Sequence, residues 1–216
     1  VRQFREGIHR RLHDKLGGRT MVIDGEAGGL FAVWAPNARE ISVMGDFNGW
    51  NKGTHRLSPR LDGSGIWEGF IPGRVKGESY KYHIVSNSGY QADKSDPFCL
   101  RFERPPATAS IVWDLDYQWS DGDWLAQRAS RNSLEGPMSI YEMHLGSWRP
   151  GLNYRTMAKQ LIGHMKYAGF THVEFMPLAE HPFTPSWGYQ VTGYYAPTSR
   201  FGSPDDLKYL ISELHK

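Results

Sequence analysis

The sequence predicts two fold classes in succession: an antiparallel β-sandwich of about 100 residues, then the opening strand–helix–strand–helix of a parallel α/β domain. Three observations carry this. From about residue 20 to 113, apolar and polar residues alternate at period two between Gly-rich turns. After Gly136 and Pro137 the pattern becomes short apolar runs separated by helical periods. Between the last apolar run and the last helix lies "HPFTPSWGYQVTGYYAPTSRFGSPDD", too aromatic for an ordinary surface loop and too broken by Gly and Pro for a strand or helix.

In chain order, residues 1–17 read as a helical segment that stops at Gly17 and Gly18. The sandwich follows over 18–115. "LFAVWAP" puts Phe31 and Val33 on one face, with Ala32 and Trp34 on the other, and Trp34 is expected in the core. "EISVMGDF" alternates Ile41 and Val43 with Ser42 and Met44. "SGIWEGFIPG" and "YKYHIVSN" continue the pattern, and "DFNGW", "LDGSG", "GRVKGE" and "NSG" supply the turns. "RFERPPATAS" reads as an extended edge and exit. Residues 116–137 are a connector with a short helix in "DGDWLAQRAS". From 138 to 216, "MSIYEMHLGSW" is a strand and loop. "YRTMAKQLIGHMKYAG" is a helix with Met157, Leu161, Met165 and Ala168 on one face, and "FTHVEFMPL" is a second strand. "SPDDLKYLISELHK" is a second helix, with Ser203 as N-cap, Pro204 at its first position and Asp206 completing a capping box. A βα repeat implies a parallel sheet. Two such units neither close a barrel nor cover a sheet, so this part reads as incomplete.

Composition narrows the function. The 216 residues are 39% hydrophobic, 22% charged and 13% aromatic, a globular balance. No apolar run approaches the roughly 18 residues of a membrane span, and "VRQFREGIHRRLHDKLGG" lacks the apolar core of a secretion signal. A cytoplasmic protein with no membrane partner is expected. Cys99 is the single cysteine, which excludes an internal disulfide and fits a reducing compartment. A net charge of +2, with no basic stripe, argues against a nucleic-acid partner. Eight Trp and eleven Tyr suit a flat, weakly charged ligand such as a pyranose, although rings also fill cores.

In parallel α/β folds, ligands bind at the C-terminal ends of the strands. Here those are the stretch after Trp148 and the connection 177–203, which far exceeds the usual 2–6 residues of a βα loop. The connection carries Phe183, Trp187, Tyr189, Tyr194, Tyr195 and Phe201 with Glu180, His181 and Gln190, an aromatic wall with a few hydrogen-bonding groups.

"SIYEMHLGSW", "FTHVEFMPLAEHPFTPSWGYQVTGYYAPTSRFGSPDDLKYLISELH" and "FAVWAPNAREISVMGDFNGWN" together resemble the bacterial 1,4-α-glucan (glycogen) branching enzymes of the α-amylase superfamily. The resemblance covers nearly the whole chain in order. It implies an immunoglobulin-like β-sandwich of the glycogen-binding type, then the first βαβα units of a (β/α)8 barrel. A barrel takes about 250 residues, so this one is truncated. "HLGSW" and "EHPF…SWGYQ.TGYYAPTSRFG" resemble branching enzymes more than debranching enzymes or trehalose-releasing hydrolases. A non-catalytic glucan-binding module is the alternative from another class.

The resemblance implies cleavage of an α-1,4 linkage and transfer of the chain to a 6-hydroxyl of glycogen or amylose. The mechanism would be that of a retaining glycosidase, with no metal, nucleotide or other cofactor, in a protein that is monomeric when complete. The nucleophile and acid/base would fall beyond Lys216, leaving this chain inactive alone, and the half-built barrel should expose strand edges and apolar faces. By motif match, Tyr189 is the platform for the sugar at the cleavage point and Tyr195 positions its neighbours. Gln190 and His181 would hydrogen-bond substrate or later catalytic groups, and Trp187 joins the wall or packs. Tyr194 and Phe201 are expected to pack. Glu142 and Glu174 read as internal barrel residues with hydrogen-bonded partners, and His144 as structural. In the sandwich, Trp50, Lys81 and Tyr90 match glucan-holding positions, the third being Tyr where related modules carry Trp.

Overall fold

The computed structural model describes residues 2–216. The chain forms two compact units: residues up to 114 together with 192–196, and residues 115–191 together with 197–216.

The first unit begins with a one-turn helix, α1 (Arg2–Arg5), and a 3-10 turn at Leu12–Asp14. The continuous helix expected over 1–17 does not form. The chain turns at Gly7, with φ +69, and Gly17 already opens the first strand. Nine strands follow: β1 (Gly17–Ile23), β2 (Glu26–Trp34), β3 (Ala38–Gly45), β4 (Ser58–Pro59), β5 (Ile66–Pro72), β6 (Ser79–Ser86), β7 (Gln91–Lys94), β8 (Arg101–Phe102) and β9 (Ser110–Ile111). One antiparallel sheet runs β1-β2-β5-β4. The other runs β3-β6-β9-β8, with β7 on β6. The segment read as an extended edge and exit holds the paired β8 and β9 at the end of that sheet.

Both sheets share one core. Phe31, Val33, Trp67 and Ile71 from the first meet Ile41, Val43, Tyr80 and Tyr82 from the second, the interdigitated inner faces of a sandwich. Asp96, fully buried, ties the core to the chain around it. Its Oδ2 accepts from the hydroxyls of Tyr80 (2.7 Å) and Tyr82 (2.9 Å), and its Oδ1 from the Phe98 N–H (2.8 Å). Burial pushes its carboxyl pKa up against these hydrogen bonds.

Ile41 and Val43 face the core as the alternation predicts, and Ser42 and Met44 on the other face are buried as well. Residues 55–57 pair along the edge of β3, with Val43 N–H donating to the His55 carbonyl at 3.0 Å and Leu57 N–H to the Ile41 carbonyl at 2.9 Å, and Ser42 Oγ donates to the Lys52 carbonyl at 2.7 Å. One expectation is corrected here. Trp34 is not in the core. It ends β2 on the face opposite Phe31 and Val33 and is 55% exposed.

The second unit contains α2 (Gly122–Arg131), β10 (Ile140–Met143), α3 (Leu145–Trp148), α4 (Tyr154–Ala168), β11 (His172–Phe175) and α5 (Pro204–His215). β10 and β11 pair in parallel, Ile140 opposite His172 and Met143 opposite Phe175. A parallel pair needs a crossover, and α4 provides it. Asn153 caps α4 by accepting from the Thr156 N–H at 2.8 Å. Ser203 caps α5 reciprocally with Asp206, whose Oδ2 accepts the Ser203 N–H at 2.9 Å. Met143, Leu145, Met157, Leu161, Met165 and Leu210 form the core. α2 is tied to α5 through His215, whose Nδ1 lies 2.8 Å from Asp121 Oδ2 and whose ring stacks on Trp124 at 3.7 Å. The loop expected after β10 is instead the short α3. Glu142 and Glu174 are register neighbours and both exposed, not internal: with two strands present, that face of the sheet is open. No helix among the described residues is long and apolar enough to cross a membrane.

Candidate functional site

The connection from β11 to α5 is built on one ion pair. Residues 177–204 contain a single acidic and a single basic residue, Glu180 and Arg200, and the fold joins them. Arg200 Nη1 donates to Glu180 Oε1 at 2.9 Å, with the side chains only 12% and 5% exposed. The guanidinium also donates to the carbonyls of His181 (2.7 Å) and Pro182 (3.3 Å) and the hydroxyls of Thr198 (3.1 Å) and Thr184 (3.1 Å). Glu180 Oε2 accepts the Ser199 N–H at 2.6 Å and the Ser199 hydroxyl at 2.7 Å, and Oε1 accepts the His181 N–H at 3.0 Å. A buried ion pair holds only when such extra bonds satisfy both partners. It clasps residues 180–184 to 198–200, giving the aromatic residues a fixed base. Sequence reading passed over Arg200. Its signal was there: one opposite-charge pair isolated in an otherwise uncharged stretch.

Beyond the clasp, a 3-10 turn at Thr184–Ser186 ends on Trp187 in the left-handed conformation, φ 57. A bulky residue there costs on the order of 1–3 kcal/mol. Gly188 follows at φ +90, where a Cβ would lie 2.5 Å from the Pro177 carbonyl oxygen, so only glycine lets the turn close on Pro177. The Trp187 ring, 53% exposed, stacks on His144 from the end of β10 at 5.4 Å and 23°. His144 Nδ1 lies 3.0 Å from Ser147 Oγ. Burial, then the charge of nearby His181, pushes the His144 pKa below its ordinary 6.5, so the ring is neutral at neutral pH.

His181 is 5% exposed and its Nδ1 lies 2.9 Å from the Ala179 carbonyl. A carbonyl can only accept, so the proton sits on Nδ1 and Nε2 of the neutral ring is left as an acceptor. Tyr189 is 65% exposed, its N–H bonded to the Ser186 carbonyl at 3.1 Å, with the exposed Gln190 beside it in sequence. The structure thus brings Trp187, His144 and His181 together, with Tyr189 and Gln190 adjoining in the chain. The one carboxylate of this stretch is held by Arg200. The arrangement offers ring faces and hydrogen-bonding groups, which is binding chemistry rather than bond-breaking chemistry.

Tyr195 belongs by its contacts to the first unit. Its ring stacks on Phe98 (5.0 Å, 20°) and lies 5.7 Å from His13. Tyr194 is 76% exposed rather than packed, since Gly193 and Ala196 are the buried residues of its strand. Phe201 does pack, edge-on to Tyr154 at 5.9 Å.

In the first unit, Trp50 is 37% exposed and left-handed, φ 62. Its indole N–H donates to Asp46 Oδ1 at 3.0 Å, and Asp46 Oδ2 accepts the Ser79 N–H at 2.9 Å. Asn48 organises this turn, accepting the Gly45 N–H at 2.9 Å and donating to the Val43 carbonyl at 3.0 Å. Lys81, between the buried Tyr80 and Tyr82, faces outward and donates to Thr108 Oγ1 at 2.8 Å. Tyr90 is 67% exposed in the β6–β7 turn.

The family model of carbohydrate-binding module 48 (isoamylase N-terminal domain) matches residues 18–99. The 1,4-alpha-glucan branching enzyme GlgB of Aquifex aeolicus is 50% identical over 99% of this chain, which covers 35% of that protein. The enzyme of the same name from Leifsonia xyli subsp. xyli is 54% identical over 99% of the chain, covering 29% of it. A pullulanase structure from Bacillus acidopullulyticus aligns with 94% of this chain and 28% of its own at a TM-score of 0.66 and 21% identity, a likeness of fold alone. The chain spans about a third of the length of the curated relatives it matches. Over the span that it covers, the chain is similar to proteins named 1,4-alpha-glucan branching enzyme, and residues 18–99 match a carbohydrate-binding module.

Proposed function

We propose that this chain supplies glucan-holding surfaces of a 1,4-α-glucan branching enzyme. The whole protein would cut an α-1,4 linkage and pass the released chain to a 6-hydroxyl, acting on glycogen or amylose as a cytoplasmic monomer. Residues 18–115 would be its immunoglobulin-like binding module, 116–137 a connector, and β10–α4–β11–α5 within 138–216 the opening of its (β/α)8 barrel. The observation that carries this reading is identity of 50% across 99% of the chain to a protein of that name.

Transfer with retention needs two carboxyl groups flanking the glycosidic bond, one attacking the anomeric carbon and one protonating the leaving oxygen. Glu180, committed to Arg200, serves neither purpose. What this chain does is hold and orient: Tyr189 stacks on the sugar at the cleavage point, Trp187 extends that surface, and His181 and Gln190 offer hydrogen bonds. Tyr195, braced on Phe98, positions its neighbours. Trp50, Lys81 and Tyr90 grip a glucan at the module. One glycosidic bond replaces another, so no cofactor is required.

The test is amylose incubated with the full-length natural protein. Branching removes the iodine colour while the number of reducing ends stays constant. Under the alternative of a debranching enzyme, reducing ends rise on a branched glucan; that result would replace the proposal. The 216-residue chain alone is expected to be retarded by glycogen in a gel and to leave the iodine colour unchanged.

A further inference from the structure

We infer that the first unit carries a second glucan-contacting surface, centred on Trp34. This rests on the glucan-binding reading above. Trp34 lies within the residues matched by the carbohydrate-binding module, yet it is 55% exposed while its neighbour in the strand, Val33 opposite Trp67, is core. The ring is held in place rather than loose. Its N–H donates to the Ser64 carbonyl at 3.1 Å. Gly65, at φ +76, lets the turn pass beneath the ring edge; a Cβ there would lie 2.7 Å from Pro36 and 3.3 Å from the indole nitrogen. Phe4 lies at 6.1 Å and 72° to the ring, and more than half of Trp34 stays open to solvent.

That ring lines a recess of about 490 Å³ together with Leu12, Leu16, Phe98, Ser64 and Arg5, within the roughly 300–1,000 Å³ range of ligand clefts. The composition is the one a glucose unit requires. Apolar surface and an indole face receive the axial C–H bonds, and an exposed guanidinium donates hydrogen bonds to hydroxyls. Charge selects against other occupants: one arginine and no carboxylate line the recess, so a neutral, hydroxyl-rich ligand is favoured over a cation. The surface is separate in the fold from Trp50, Lys81 and Tyr90. Those residues follow or lie on strands of the β3-β6 sheet, whereas Trp34 ends β2 of the other sheet. A module with a ring on each sheet holds two segments of one branched glucan, and linked sites gain avidity without new contacts.

The test uses the whole chain, with maltoheptaose and glycogen as probes. Trp34→Ala is expected to weaken maltoheptaose binding at this surface, and retardation by glycogen, by about tenfold, the scale of truncating one aromatic anchor. Trp34→Phe, which keeps a ring, should recover most of it. In the wild-type chain, the indole N–H resonance that disappears in Trp34→Phe should shift on titration with maltoheptaose. If Trp34→Ala keeps its thermal melt and binds both probes as the wild type does, the inference falls while the glucan-binding reading stands. If the wild-type chain binds neither probe, both fall. A wild-type dimer that Trp34→Ala dissociates, with glucan binding unchanged, would overturn the proposal in favour of self-association through this recess.

Discussion

Trp50 in the first unit and Trp187 in the second share a backbone conformation that bulky side chains avoid, φ 62 and φ 57, and both leave their rings exposed. They are held by different means. Trp50 is fixed by a hydrogen bond to a carboxylate that is itself anchored to a strand backbone. Trp187 is fixed by stacking on an imidazole. Stacking on an imidazole makes the second support sensitive to protonation of His144, whose pKa burial holds below the ordinary 6.5. A related contrast runs through one buried carboxylate in each unit: Asp96 is satisfied by neutral donors, Glu180 by a guanidinium as well.

The largest effect comes from removing the cation. Arg200→Ala leaves the buried Glu180 without its cation, at a cost of about 3–5 kcal/mol. A urea titration should show the loss in the second unit with the first unit's transition unmoved; a loss in both would show that the two supports are not independent. Asp96→Ala is the counterpart in the first unit. It strands the hydroxyls of Tyr80 and Tyr82, costing about 1–3 kcal/mol.

Asp96 also sets a pH dependence. Its pKa is raised by burial above the ordinary 3.8, so the folded state holds that proton more tightly than the unfolded chain. Its contribution is therefore fully present below 3.8 and is lost as pH rises through the folded value. Thermal melts across that window should show wild type losing stability where Asp96→Ala stays flat. A wild type with no such decline would remove Asp96 from the comparison.

Smaller effects test the rings themselves. Trp50→Gly and Trp187→Gly each relieve a left-handed backbone, so stability should change by less than about 1 kcal/mol while glycogen retardation falls. A large destabilisation would recast either ring as packing. Smallest is a fluorescence titration. The emission component lost in Trp187→Phe should respond to protonation of His144, below pH 6.5 because burial and His181 lower that pKa. The component lost in Trp50→Phe, whose ring is held by a hydrogen bond to Asp46 rather than by stacking on an imidazole, should not show the histidine step. Equal responses would erase the distinction between the two supports.

The parts legible in the sequence were those fixed by neighbours a few residues apart. The alternation of Phe31 and Val33, the capping box of Ser203 and Asp206, and Met157, Leu161 and Met165 on α4 all stand where local pattern puts them, while Ala168, read on the same stripe, is exposed at the helix end. What escaped depends on chain arriving from elsewhere. Ser42 sits on the outward face that the alternation gives it, yet it is buried, its hydroxyl donating to the Lys52 carbonyl. Trp34 reads as core because an indole is apolar, whereas its position at the end of β2 leaves it exposed. Tyr195 reads as part of one continuous wall, yet its ring finds Phe98, nearly a hundred positions earlier. Arg200 was invisible to motif reading because its role is defined by carbonyls as much as by Glu180.

The clasp between Glu180 and Arg200 also governs how this region tolerates insertion. By joining residues 180 and 200 it closes a loop in the chain much as a covalent bridge would, but without cysteine and so without sensitivity to reductant. Once a loop is closed at its base, lengthening it is cheap, since each doubling adds only about 0.6 kcal/mol of closure entropy. Extra residues placed around Ser186 would leave the base intact while changing which rings reach the ligand. The reach of this surface is thereby uncoupled from the stability of the unit that bears it.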